Sequence, residues 1–241
     1  METTIDGLLD KRVTLEQPAR GYRVAVDTVL LAASVPAQAG DAVLDLGCGV
    51  GGAMFCLAAR VPGVRLTGME IDEDLAELGR VNIARNSFVA DARIIIGDAS
   101  VRHPAFAGVF AHVMMNPPYH DEARHDVSDH AQKRRANTEK DGDLAKWLTA
   151  AAYVLADSGC LTLIHRADRE PEILGLLAGS FGAIEVCAVV PKRAAPPKRT
   201  LLRARKQPGS VTRSEFILHV SDGRYTEAAE SILRHAAAMP F

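Results

Sequence analysis

Four polar side chains stand at the ends of short apolar runs: Asp45 in VLDLGCGVGG, Glu70 in RLTGME, Asp98 in IIGDAS and Asn116 in HVMMNPPY. Three are acids, able to accept hydrogen bonds or offset a positive charge, and the fourth is a neutral amide. Directly after Asp45, glycines at 47, 49 and 52 reproduce the spacing G-x-G-x-x-G, which lets backbone amides approach a bound ligand closely. That pattern is short, and glycines that serve only packing would produce it too. Asn116 opens a different motif, Asn-Pro-Pro-Tyr. Two consecutive prolines remove two backbone donors and push Asn116 out of the helical region, so a strand ends there in a rigid turn whose carbonyls stay free. Read alone, the tetrapeptide fits an ordinary strand-ending turn as well as a site that holds out one amide and one aromatic ring.

Taken in order, the acids narrow the ligand. Asp45 stands two residues before the first glycine, where a carboxylate suits a cation better than a pyrophosphate, and Gly51 opens the loop further. Both features favour S-adenosylmethionine, with its cationic methionine portion, over a nicotinamide cofactor. Glu70 is then placed to accept the ribose hydroxyls, and Asp98 to accept from the adenine amino group while the Ala99 amide donates to the ring. The expected cofactor set is Asp45, Gly47, Gly49, Glu70, Asp98 and Ala99. Asn116, at the end of the next strand, would lie beside the transferable methyl group. An exocyclic amine has its lone pair delocalised into the ring, so it needs geometry and dipoles more than a strong base. The Asn116 side-chain oxygen and the Pro117 carbonyl can each hold one N–H and draw the nitrogen toward a tetrahedral form. Tyr119 supplies a stacking face, worth about 1–3 kcal/mol for an extruded or single-stranded base. Asn116, Pro117 and Tyr119 are therefore the expected catalytic group.

These residues need a frame that gathers strand ends along one edge. Apolar runs alternate with amphipathic stretches, the signature of parallel strands joined by crossover helices in an α/β fold. Strands are expected at 42–45, 65–70, 92–96, 112–116, 160–165 and 183–189, and helices at 52–60, 72–84, 144–156 and 169–179, with Asp72 and Asp168 as N-caps. Residues 200–205 alternate and can return antiparallel, with Leu202 and Ala204 inward and Arg203 and Arg205 outward. A short strand at 12–17 and a helix at 28–35 capped by Asp27 are expected upstream, and a strand at 216–220 and a helix at 225–237 downstream. The polar run 121–142 reads as a long loop within the fold. With no repeat and no Gly/Ser-rich linker, the expectation is one domain over 1–241, with an N-terminal extension (1–41) and a C-terminal strand-helix addition (214–241).

Composition sets the wider limits. The 241 residues are 48% hydrophobic and 24% charged, enough for a real core. No apolar run reaches membrane-span length and residues 1–10 lack signal-peptide character, so a cytoplasmic protein without membrane association is expected. Cys48, Cys56, Cys160 and Cys187 lie far apart, which argues for buried thiols over a zinc or disulfide frame. His120, His125 and His130 are spaced by fives in an irregular stretch, which is not a zinc pattern, and no metal is expected. The net charge of −2 conceals an asymmetry: residues 192–206 carry seven basic side chains and no acid. Lys192, Arg193, Lys198, Arg199, Arg203, Arg205 and Lys206 are expected to line the sheet rim near the active edge as a phosphate track for RNA, extended by Lys133, Arg134 and Arg135. A basic strand that merely resists edge aggregation is the alternative.

The ordered set DLGCGVG, Glu70, Asp98 and NPPY resembles the class I S-adenosylmethionine-dependent methyltransferases of the amino-group type. QPARGYRVAVDTVLLAA at 17–33 and PPKRTLLRARK at 196–206 are similar to the bacterial tRNA1(Val) adenine-37 N6-methyltransferase family, and the similarity covers nearly the whole chain. The resemblance implies a Rossmann-like fold: a mainly parallel seven-stranded sheet with one antiparallel strand and helices on both faces. It implies N6-methylation of an adenine in RNA, adenine-37 of a tRNA anticodon loop, with tRNA as partner and S-adenosyl-L-methionine as cofactor. Tyr22, Arg23 and Asp27 would form part of the active-site cover, and Lys198, Arg199, Arg203, Arg205 and Lys206 would meet substrate. Besides a guanine N2 or DNA adenine target, two other classes of function remain open at this stage. A protein-glutamine N5-methyltransferase of the release-factor type would use the same turn, though such enzymes place a helical domain before the glycine loop. A non-catalytic RNA-binding module that retains the cofactor pocket is the other.

Overall fold

The computed structural model describes residues 1–20, 23–118 and 143–241. Tyr22, Tyr119 and the expected loop at 121–142, with its histidines and Lys133 to Arg135, lie outside the described residues.

The alternating pattern becomes β1 (Thr3–Leu8), β2 (Val13–Pro18), α1 (Val26–Ser34), β3 (Ala42–Leu46), α2 (Gly52–Arg60), β4 (Arg65–Glu70), α3 (Glu73–Arg85), β5 (Ala92–Ile96) and β6 (Phe110–Met115). There follow α4 (Asp143–Val154), β7 (Leu155–Arg166), α5 (Glu170–Leu177), β8 (Ala183–Lys192), β9 (Arg199–Arg205), β10 (Val211–His219) and α6 (Glu227–His235). The main sheet has the order β10-β8-β9-β7-β6-β3-β4-β5. β9 is antiparallel to both neighbours, β7 and β8. The other pairings are parallel. The expected seven strands with one antiparallel member are thus present, and β10 adds an eighth beside β8.

Because strand side chains alternate between faces, the sheet buries two separate apolar layers. Met114 packs with Leu30 and Phe55 on the α1–α2 face, whereas Met115 packs with Leu148 and Ile173 on the α4–α5 face. Leu202 and Ala204 are fully buried, as their period predicts. Arg203, however, does not point into solvent. Its side chain is only 13% exposed, because α1 and the chain end cover that part of β9. Arg203 Nε donates to the Ser34 carbonyl (2.6 Å) and its guanidinium lies 3.8 Å from the centre of the Phe241 ring.

The caps divide. Asp72 accepts from the Asp74 and Leu75 amides at the start of α3. Asp27 falls inside the first turn of α1 and pairs with Arg199 instead of capping. Asp168 is drawn to Arg166 and leaves α5 to begin at Glu170 without a side-chain cap. In both cases a nearby guanidinium competes for the carboxylate, and the charge-assisted bond is the stronger.

β1 is absent from the expected elements. It pairs antiparallel with β2 as a separate two-stranded sheet. That hairpin docks through side chains: Asn82 on α3 and Asn86 at its C-cap each exchange two hydrogen bonds with the β2 backbone, at Glu16 and at Thr14.

Candidate active site

Strand pairing, not chain order, assembles the site. β3 and β6 are neighbours, with Asp45 opposite Met114 and Leu46 opposite Met115. The glycine loop leaving β3 and the Asn116-Pro117-Pro118 turn leaving β6 therefore emerge side by side. The period of two puts Asp45 and Glu70 on the α1–α2 face, and Asn116, just past the end of β6, continues that face. Asn116 is half-buried and Pro117 buried.

The loop is held open by its own backbone. The Gly47 and Cys48 amides both donate to the Met69 carbonyl, at 2.8 and 3.0 Å. Gly47 has φ +70°, and a Cβ there would stand 2.5 Å from the Trp147 ring, so both conformation and space exclude a side chain. Gly49 has φ +55° and open space where a Cβ would be, and its amide donates to Glu70 Oε2 at 2.8 Å. Glu70 Oε1 accepts from the Ile71 and Asp72 amides, both at 2.9 Å. Three of its roughly four acceptor sites are thus engaged. Glu70 clamps the loop in addition to facing the ligand edge.

Asp45 is 4% exposed and has no hydrogen-bond partner among the described residues. Burial, and secondarily the nearby Glu70, push its carboxyl well above the ordinary range. A buried acid that meets no donor among the described residues, beside an open glycine loop, is a fitting counter-charge for a cationic ligand. Asp98 forms a tight turn in which Oδ1 accepts from the Ser100 amide (2.8 Å) and hydroxyl (2.7 Å), and Ala99 is buried. Ile71, next to Glu70, is 63% exposed.

The N-terminal hairpin reaches this edge. Gln17 is buried and accepts from the Val24 amide while donating to Asp6. Arg23 pairs with Asp6 at 2.6 Å and donates to Thr4. Val24 in turn packs on Gly52, where a Cβ would meet its methyl at 2.9 Å.

The expected basic rim does not form as one strip. β9 runs from Arg199, opposite Arg166 at the cofactor edge, to Arg205, opposite Cys160 and Ala183 at the far edge. Lys198 and Arg199 reach the active edge, Arg199 in a pair with Asp27 (2.6 Å) and Lys198 exposed. Arg203 is packed within the fold, and Arg205 and Lys206 lie at the opposite edge. The correction follows from direction: an antiparallel strand crosses the sheet and does not border it.

Three residues gained no role from the sequence. Trp147 roofs Gly47 from α4. Ile71 offers an apolar surface beside Glu70. His165, on β7 next to the Asn-Pro-Pro turn's strand, is fully buried, and burial pushes its pKa down to about 4. The single tryptophan of the chain, standing in the helix after the Asn-Pro-Pro-Tyr motif, was the available signal for the first.

The fold and the acids and amide at successive strand ends define a methyltransferase of the Rossmann-like α/β type. The methyltransferase small domain model matches residues 22–192, and the chain belongs to that family. It is 29% identical over 232 residues to a Porphyromonas gingivalis protein named tRNA1(Val) (adenine(37)-N6)-methyltransferase, covering 90% of this chain and 89% of that one. A Haemophilus influenzae protein of the same name is 25% identical, with 90% and 92% covered. Among solved structures, a protein from Agrobacterium tumefaciens described as a predicted O-methyltransferase superposes with a TM-score of 0.74 at 25% identity, covering 88% of this chain and 98% of that one.

Proposed function

We propose that this chain transfers the methyl group of S-adenosylmethionine to N6 of an adenine in RNA, with adenine-37 of a tRNA anticodon loop as the target. The observation that carries the reading is the β3–β6 pairing, which sets the Asn116-Pro117-Pro118 turn beside the glycine loop. Its support is the name shared by relatives that align over nine-tenths of the chain.

Asp45, Gly47, Gly49, Glu70 and Asp98 would hold the cofactor, with Ile71 against its flat ring. When bound, the cofactor supplies an electrophilic methyl on a sulfonium. Asn116 Oδ1 and the Pro117 carbonyl accept the two N–H groups of the target amine and orient its lone pair. Tyr119 stacks the base, with Tyr22 and Arg23 part of the cover. A conjugated amine served by neutral acceptors explains why an amide, and not a stronger base, ends β6.

Incubation with labelled cofactor and bulk tRNA tests the reading: label should enter RNA as N6-methyladenine. Label appearing in protein glutamine, or in hydroxylated acceptors, would replace it. Asn116→Ala should lower turnover about 10²–10³-fold while cofactor affinity stays close to the parent's.

A further inference from the structure

The far edge of the molecule holds a basic cleft that the site above does not use. Arg102, Thr149, Ala152, Tyr153, Ser180 and Lys206 line an open cavity of about 350 Å³, and among the described residues none of the lining is acidic. The Arg102 guanidinium lies 5.6 Å from the Tyr153 ring centre. The Tyr153 carbonyl accepts from the Gly108 amide, which ties the loop carrying Arg102 to α4. Lys206 Nζ is fixed on the Leu155 carbonyl at 2.7 Å. Lys146 and Thr149 are exposed, and at positions i, i+3 and i+7 they share one face of α4 with Tyr153. Seven residues of helix span about 10 Å, so this face leads from the active edge, where α4 begins, down to the cleft.

We propose that a phosphate-bearing ligand occupies this cleft, namely the sugar–phosphate backbone of the RNA whose target base sits at Asn116, descending along α4. The inference rests on the RNA reading above. It follows from what β9 cannot do: Arg199 and Arg203 are committed to Asp27 and Ser34. The Arg203 side chain is moreover only 13% exposed, whereas Arg102, and Lys206 with the two donors that its bond to Leu155 leaves, border an open cleft with hydroxyls and an aromatic face and can contact phosphate.

The test compares parent, Arg102→Ala and Arg102→Ala/Lys206→Ala for affinity over a salt titration, with intact tRNA and with a single-stranded oligonucleotide of the target loop alone. Cofactor calorimetry confirms folding. Each phosphate contact contributes roughly 0.7–0.9 to the salt slope. With tRNA the slope should fall by about 1 in the single variant and about 2 in the double, while the short oligonucleotide is unaffected. An unchanged tRNA slope in both variants overturns the proposal. A third arm titrates AMP against the parent by NMR. Saturable shifts at Tyr153 together with an unchanged tRNA slope would assign the cleft to a free nucleotide instead. Failure of the parent to bind any RNA would remove the substrate reading itself, an outcome distinct from a parent that binds RNA without this cleft.

Discussion

Asp45 couples folding to binding through its charge. Its folded-state pKa is raised, so between the ordinary carboxyl value and that raised value the folded chain holds the proton more tightly than the unfolded chain. Stability is therefore lost as pH rises through that window. Asp45→Asn should make the free protein more stable than the parent at neutral pH, the gap closing as pH falls toward 4, as melting temperature against pH would show. The same variant should weaken cofactor binding tenfold or more, since an ion pair in a partly buried site is lost. Parent-like affinity would remove Asp45 from the pocket. His165 behaves in the opposite sense: its depressed pKa leaves it neutral, and stability is lost as pH falls from about 6.5 to about 4 because the unfolded chain protonates first. Roughly 3 kcal/mol should disappear across that window, at about 1.4 per pH unit. Urea unfolding of His165→Leu should show a correspondingly flatter pH dependence.

Between elements, the most consequential contacts are those of Asn82. Its side chain accepts from the Glu16 amide at 2.7 Å and donates to the Glu16 carbonyl at 2.8 Å and the Val50 carbonyl at 3.2 Å. One buried amide thus replaces a strand partner for β2 and steadies the glycine loop at the same time. Asn82→Ala would leave backbone groups buried without partners, at about 2–3 kcal/mol. A lower urea midpoint and a weaker cofactor affinity should appear together; unchanged affinity would show that the hairpin and the loop are independent. The helix containing Asn82 was evident from its periodicity and Asp72 cap. Its docking partner was not, because an asparagine at a helix position reads as surface until a strand is known to lie against it.

At the scale of the whole molecule, Arg203 separates a structural cation from an RNA-binding one. Its bond to the end of α1 and its stacking on Phe241 join the middle of β9 to the chain terminus. Arg203→Ala should cost about 2–4 kcal/mol and lower the melting temperature by roughly 5–10 °C, while the salt slope for tRNA matches the parent's. Lys198→Ala should do the reverse, leaving melting unchanged and reducing the slope. A reduced slope in Arg203→Ala with parent-like melting would restore the rim expected from the sequence. The sequence by itself determined the strands and intervening helices of the main sheet, the glycine loop and the polar residues at strand ends, but not β1, because period, proline turns and glycine spacing act over a few neighbouring residues. Tertiary structure alone decided that the expected meeting of the β3 loop and the β6 turn comes from direct β3–β6 pairing, that Trp147 covers Gly47 and that the β9 cations face two edges and a core. Those outcomes depend on which distant strands pair: the alternation of β9 already pointed to an antiparallel return, but its insertion between β7 and β8 is a choice that no local pattern of residues encodes.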